Sequence, residues 1–331
     1  MTDTLSMLST LGIYVAMGFY TAAFAVFSID LARRGAESTA RVPSVVARRG
    51  IAAHQGTTVV IGEDRAETSP EPVTEPSGAA RAVIRWAFVL TVAGFFFHLL
   101  GTALRGIAAA RVPWANMWEF SMTGTLVIIG VFLLSNLKWD LKYLGTFIVG
   151  LVLVLQGIAL LRYYVPVVPL QPALQSYWLV IHIIVAVLGT AFFALGFALS
   201  GLQLLQYRRE RQVEESVPQQ FRFLATLPNS ADLENLAYRI NIVGFVAWTF
   251  TLIAGAVWAS AAWGRYWGWD TKEVWTFIIW VIFAGYIHAR ATRGWRGSRS
   301  ACLAIIGFAA VLFNFGIVNV FFKGLHTYSG L

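Results

Sequence analysis

The sequence predicts an all-α polytopic membrane protein of about eight transmembrane helices, with both termini extracytoplasmic. Three observations predict it. First, of 331 residues 57% are hydrophobic and only 13% charged, with a mean hydropathy of +0.65. A soluble domain carries roughly 25% charged residues, so this chain has too little polar material to cover a water-facing surface. That excludes an ordinary soluble enzyme, a disordered protein and a fibrous repeat. Second, runs of apolar residues long enough to cross a bilayer recur along the chain, and none alternates with period two as barrel strands do. Third, the basic residues are distributed unevenly. With the N-terminus outside, 19 of the 25 Lys and Arg residues fall on the inner side, as the positive-inside rule requires. The net charge of +8 is therefore mostly inner anchoring, the lipid bilayer is the partner it serves, and no nucleic acid is needed to explain it.

The first apolar run, Leu8–Leu31, is preceded by Asp3 and followed by Arg33 and Arg34. These flanks are the reverse of a secretory signal peptide's, so residues 1–32 read as a permanent N-terminal anchor. Residues 33–81 read as a flexible cytoplasmic loop: Glu63, Asp64, Glu67, Glu71 and Glu75 mix with Pro70, Pro72 and Pro76, and no apolar core is available. His54 in that loop is expected to be solvated. The remaining runs are Ala82–Ala110, Asn116–Asn136, Leu141–Leu161, Trp178–Gln206, Ile240–Ala262, Val274–Ala289 and Ala301–Phe322. Before the sixth run, Leu233, Leu236, Ala237 and Ile240 follow a cap at Asn229 or Ser230, which predicts a surface helix on the inner side leading into the sixth span. Residues 82–331 thus form one membrane domain. Cys302 is the only cysteine, so an internal disulfide and a CxxC pair are both excluded.

The outer segment between the sixth and seventh runs concentrates aromatic residues. Trp263, Tyr266, Trp267 and Trp269 alternate with Gly264 and Gly268, and Asp270, Lys272, Glu273 and Trp275 follow. An interfacial aromatic belt accounts for scattered Trp and Tyr. Four rings clustered around two glycines suit a stacking platform for a flat apolar ligand with ionised edges, such as a porphyrin.

Four of the five histidines lie in or beside spans, where ionisable groups are costly and a functional role is the default. His182, in the first turns of the fifth run, and His326, after the eighth, both fall on the outer side. Together they could supply two axial nitrogens to one haem iron. Alternatively, each hydrogen-bonds locally at a helix end. His288 sits toward the inner leaflet in the seventh run. His98 lies about 20 Å from the inner surface, at 1.5 Å per residue past Arg85. That depth fits poorly with sharing one iron with His288, and a packed, hydrogen-bonded interior role is open to it. Arg105 and Arg111, near the outer interface, are expected to snorkel.

These residues carry a resemblance. Trp263-Gly-Arg-Tyr-Trp267-Gly-Trp269-Asp270 matches the WGxxWxWD signature of haem-handling (WWD-domain) proteins, and the chain resembles the CcsA/ResC type of System II cytochrome c biogenesis proteins (the actinobacterial "CcsB"). Pro113-Trp-Ala-Asn116-Met-Trp118-Glu119-Phe resembles that family's P-x-S-N-x-Y-E-S, with Trp for Tyr and Ala for Ser. Ser176-Tyr-Trp178-Leu-Val-Ile-His182 and Gly324-Leu-His326-Thr-Tyr resemble its two outer-histidine segments.

The resemblance implies delivery of haem b across the cytoplasmic membrane and its presentation outside to the CxxCH thiols of an apocytochrome c. It also implies a holocytochrome c synthase (haem lyase) complex with a ResB/Ccs1-type membrane partner, without which this chain is expected to be inactive, and a thiol-reducing thioredoxin-like protein. By carry-over, His182 and His326 are the outer iron ligands and His288 a ligand within the membrane. Trp263, Gly264, Trp267, Gly268, Trp269 and Asp270 form the haem platform. His98, Lys272, Glu273, Trp275, Trp118 and Glu119 are secondary candidates, and no residue acts as a catalytic nucleophile. Two other functions compete: a b-type haem electron-transfer subunit, which needs facing histidines at matched depth, and a small-molecule transporter, which predicts broken helices or inverted repeats.

Overall fold

The computed structural model describes residues 2–40, 78–215, 222–292 and 294–326. Among them there are eight helices long and apolar enough to cross a membrane and no strands. The chain is a multi-pass membrane protein. In order the helices are α1 (Thr2–Ala40), α2 (Gly78–Ala109), α3 (Met117–Ser135), α4 (Gly145–Arg162), α5 (Tyr177–Glu214), α6 (Ser230–Trp263), α7 (Thr271–Thr292) and α8 (Ser298–Leu312). The last helix widens into a π-helical turn, Phe313–Val318, before a final α-turn, Asn319–Phe321.

Each helix satisfies its backbone internally, as the bilayer demands, so side chains decide how helices meet. Helix α5 is the centre: it packs along α6 and also touches α3, α4 and α8. Its Phe193 stacks on Phe283 of α7, with ring centroids 3.6 Å apart, and tilts against Trp248 of α6. Helix α1 lies along α2, tied by Ser9 Oγ donating to the carbonyl of Gly101 at 2.6 Å. Such interhelical hydrogen bonds substitute for the hydrophobic drive that lipid removes.

Two boundaries differ from the sequence reading. Helix α1 runs on to Ala40, past the expected anchor end, and an Arg34–Asp30 pair (2.7 Å, one turn apart) lies toward its C-terminal end. Most of the expected acidic loop, His54 included, lies outside the described residues. The expected surface helix before the sixth span is instead the beginning of α6 itself. Asn229 caps it through Asp232 N–H (2.8 Å), and Leu233, Ala237 and Ile240 are buried in the bundle. Their i, i+4, i+7 stripe continues the packing face of the span, which is why the chain does not break there. Helix α7 is the least covered of the eight.

Candidate functional site

The tryptophan-rich turn is organised by its own capping residues. Helix α6 stops at Gly264, whose left-handed backbone (φ 70°) is the conformation glycine adopts without strain, and its N–H returns to the carbonyl of Ser260. The next helix starts at Thr271, and Asp270-Thr-Lys-Glu273 forms a capping box. Asp270 Oδ1 accepts the Lys272 N–H (3.0 Å), while Glu273 Oε2 accepts the Asp270 N–H (3.1 Å) and also that of Gly268 (2.8 Å). Between them Trp269 holds φ at 59°, a strained value for a non-glycine residue. Gly268 leaves the space its missing side chain would fill to the Arg265 guanidinium.

Asp270 is also where the C-terminal segment attaches. Its Oδ2 accepts the Leu325 N–H (2.7 Å), and its Oδ1 lies 3.0 Å from His326 Nδ1. Burial raises the Asp270 carboxyl, but the hydrogen bonds from His326, the Lys272 N–H and the Leu325 N–H outweigh it and hold it down at about 2. The carboxylate is therefore ionised and accepts the Nδ1–H of His326. The His326 ring meets Trp263 and Trp258 edge-on, with centroids 4.8 and 5.5 Å away.

His182 reaches the same place from α5. Its Nδ1 lies 2.9 Å from the Thr251 carbonyl of α6. A carbonyl only accepts, so Nδ1 carries a proton, and it is Nε2 whose lone pair is available to a metal when the ring is neutral. The ring stacks on Trp258 (5.9 Å, 16°), the indole that His326 meets edge-on. Gly255 makes room for it: a methyl group there would sit 2.8 Å from the imidazole. The two histidines line the same two cavities. One, of about 100 Å³, also has Trp258, Lys272, Asn319 and Asn116 in its wall; the other, of about 50 Å³, has Trp267, Tyr266, Lys272 and Glu273. A third, of about 120 Å³, runs from His182 and Lys272 deeper into the bundle between Phe120, Trp248, Phe308 and Asn314.

The expected platform is thus divided. Trp263 touches His326 and Trp267 lines a cavity, but Trp269 is 76% exposed and stands perpendicular to Trp267. The indole in contact with both histidine rings is Trp258. It was missed, although Thr251, Gly255 and Trp258 fall at i, i+4 and i+7 on one helical face, a spacing legible once His182 is known to face it. Trp275 packs on Phe313 (4.4 Å).

Glu119 is fully buried and accepts from Arg105 Nε (3.0 Å), Arg111 Nη1 (2.6 Å) and the Ala115 N–H (3.0 Å). The expectation that both arginines snorkel is corrected by this pairing, since Arg105 is 1% exposed and turns inward to its counter-ion. Neither Glu119 nor Trp118, which is buried edge-on to Tyr164, lines the two cavities of the histidine pair. Their turn of α3 instead presents Asn116, Met117 and Phe120 to the larger one.

His98 is buried on α2, with Nδ1 3.3 Å from the Tyr20 hydroxyl and Nε2 without a partner. His288 is exposed on α7. Helix α2 packs on α1, α3 and α4, whereas α7 packs on α6 and α8, so these two histidines do not face each other.

Residues 114–326 match the family model described as cytochrome C assembly protein, a range that holds His182, His288, His326 and the tryptophan-rich turn but not His98. The chain is 35% identical over 248 residues to the cytochrome c biogenesis protein CcsA of Heterosigma akashiwo, covering 66% of this chain and 77% of that one. It is 34% identical over 260 residues to the protein of that name from Trieres chinensis (71% and 83%) and 39% over 183 residues to that of Prochlorococcus marinus (48% and 56%). Among solved structures it shares the fold of the cytochrome c haem lyase CcmF at a TM-score of 0.62 and 16% identity; the match covers 98% of this chain and half of that one.

Proposed function

Because the chain belongs to the cytochrome C assembly protein family and so acts in cytochrome c maturation, we propose that it binds haem b, its substrate, between His182 and His326 and presents it to apocytochrome c. One observation carries this reading: two imidazoles line the same cavities, each with Nδ1–H donated to a fixed oxygen. A histidine that ligates a metal commonly fixes its tautomer this way, which leaves Nε2 for the iron. Two such ligands complete an axial pair without any cysteine. The cavities are small beside the several hundred Å³ usual for a small-molecule pocket, so binding widens the site. The 265–269 turn, with Tyr266 and Trp269 exposed, is the segment we expect to give way.

Haem supplies two vinyl groups, across each of which a thiol S–H of the CxxCH segment adds with no net change of oxidation state. The chain's contribution is positioning, by the two histidines and the surrounding indoles. No side-chain nucleophile is required. The histidine of CxxCH then replaces one outer ligand. In this reading residues 82–331 are the haem-handling domain and 1–32 an anchor packed on it. The protein sits in the cytoplasmic membrane with the tryptophan-rich turn outside. His288, exposed on the least covered helix, takes its second iron ligand from a ResB/Ccs1-type partner, and a thioredoxin-like protein keeps the acceptor thiols reduced.

The test is covalent haem on a CxxCH reporter, in cells lacking their own maturation machinery and supplied with this chain and a ResB-type partner. His182→Ala and His326→Ala are each expected to lower the yield at least tenfold, with partial rescue by added imidazole. Undiminished maturation by both variants without imidazole would sink the ligand assignment.

A further inference from the structure

Lys272 projects from the first turn of α7 into the space shared by the two histidines, and it lines all three cavities described above. Its ammonium donates to the amide oxygen of Asn319 at 2.5 Å. Among the described residues no carboxylate lies within 4.0 Å of it. A lysine near the outer end of a span ordinarily snorkels to the interface; this one turns into the protein, where its ammonium bonds a neutral amide and feels the Asp270 carboxylate only from beyond ion-pair distance. A cation partly withdrawn from water with no carboxylate paired to it is costly, so the space beside it suits an anion.

Most of the neighbouring charged groups are engaged elsewhere, although Arg265 Nη1 and Glu273 Oε1 are buried without a hydrogen-bond partner. Arg105 and Arg111 are held by Glu119. Asp270 is occupied by His326 and two N–H groups, and Glu273 Oε2 by the N–H groups of Gly268 and Asp270. Arg265 is folded over Gly268 and lines neither cavity of the histidine pair. An unpartnered donor also belongs to the larger cavity of the histidine pair: Asn116, in its wall, has an Nδ2 with no hydrogen-bond partner. The N-terminal end of α7 adds its own preference for negative charge.

We propose that Lys272, steadied by Asn319, is the carboxylate-binding group of the histidine site and holds a propionate of the bound haem. The proposal rests on the haem reading above and adds an orientation to it. The propionate edge is fixed at Lys272, which leaves the vinyl edge, on the opposite side of the porphyrin, toward the outer opening where thiols arrive.

Propionate recognition can be separated from a merely structural role by comparing haem with its dimethyl ester, which keeps the iron and the ring and lacks both carboxylates. The full chain in detergent is titrated with each, and the Soret band of the bis-histidine complex is followed. Wild-type protein is expected to bind haem at least tenfold more tightly than the ester, as a charge-assisted contact implies. Lys272→Met is expected to lose that preference by weakening haem alone, and Lys272→Arg to keep most of it.

Equal weakening of both ligands by Lys272→Met, or of neither, would overturn the proposal while leaving the histidine site standing. Failure of the wild-type chain to bind either ligand would remove the site itself.

Discussion

Asp270 does three things at once: it caps α7, accepts the Leu325 N–H and fixes the tautomer of His326. Replacing it with Asn keeps the shape but removes the charge that secures the donated proton. Outer partners of metal ligands are typically worth ten- to a hundredfold in affinity, so Asp270→Asn is expected to weaken haem binding about tenfold in an optical titration. The pH dependence has a definite sign. The carboxyl's folded value of about 2 lies below its ordinary 3.8; its contribution is therefore present above about pH 4 and lost only as pH falls toward 2. The ratio of wild-type to Asp270→Asn affinity is accordingly expected to stay constant from about pH 5 to 8. A ratio that changes within that window would mean another group holds His326. At this scale the sequence was partly legible. The histidines and the aspartate stand out by residue type, but Trp258 and Gly255 look like ordinary span residues until the opposing helix is placed against them.

At the scale of elements, the N-terminal end of α3 is set by Glu119 rather than by propensity. Asn116 caps the helix through the Glu119 N–H (2.9 Å), and the Glu119 carboxylate returns to the Ala115 N–H while holding two arginines. Removing one member of a buried ion pair typically costs about 3–5 kcal/mol, because the other charge is left uncompensated. Glu119→Ala is thus expected to lower the melting temperature of the detergent-solubilised protein by several degrees, and a companion Arg105→Met change to restore part of it. An unchanged melting temperature for Glu119→Ala would show the pair to be dispensable. The Asp270–Glu273 box could be read directly, since an acid three residues before a glutamate at a helix start has a local signature. The π-helical turn could not. Its i to i+5 bonding places residues five apart one turn from each other, which aligns Asn314 and Asn319 toward the cavities. It is supported by Phe315 on Phe120 and Phe313 on Trp275, contacts that no local pattern announces.

Over the whole molecule, the number of spans was legible because bilayer thickness imposes a minimum apolar length, and each of the eight expected runs overlaps one of the eight long apolar helices, overrunning it by at most a residue at an end. Their neighbours were not, since a lipid-facing and a buried apolar residue look alike in sequence. The charge bias predicts the side of the membrane on which each end lies. In a Cys302→Ser background, Tyr266→Cys is expected to react with an impermeant maleimide in intact cells, and Arg211→Cys only after lysis; the reverse pattern would invert the topology. The attachment of His326 to Asp270 also bears on how the protein comes into being. Asp270 and His182 are translated and inserted well before His326, whose segment follows the last span. A nascent chain therefore carries half of the histidine pair until its eighth helix has left the ribosome and entered the bilayer. If the two histidines hold the iron as proposed, haem capture becomes possible only once the eighth helix is in place.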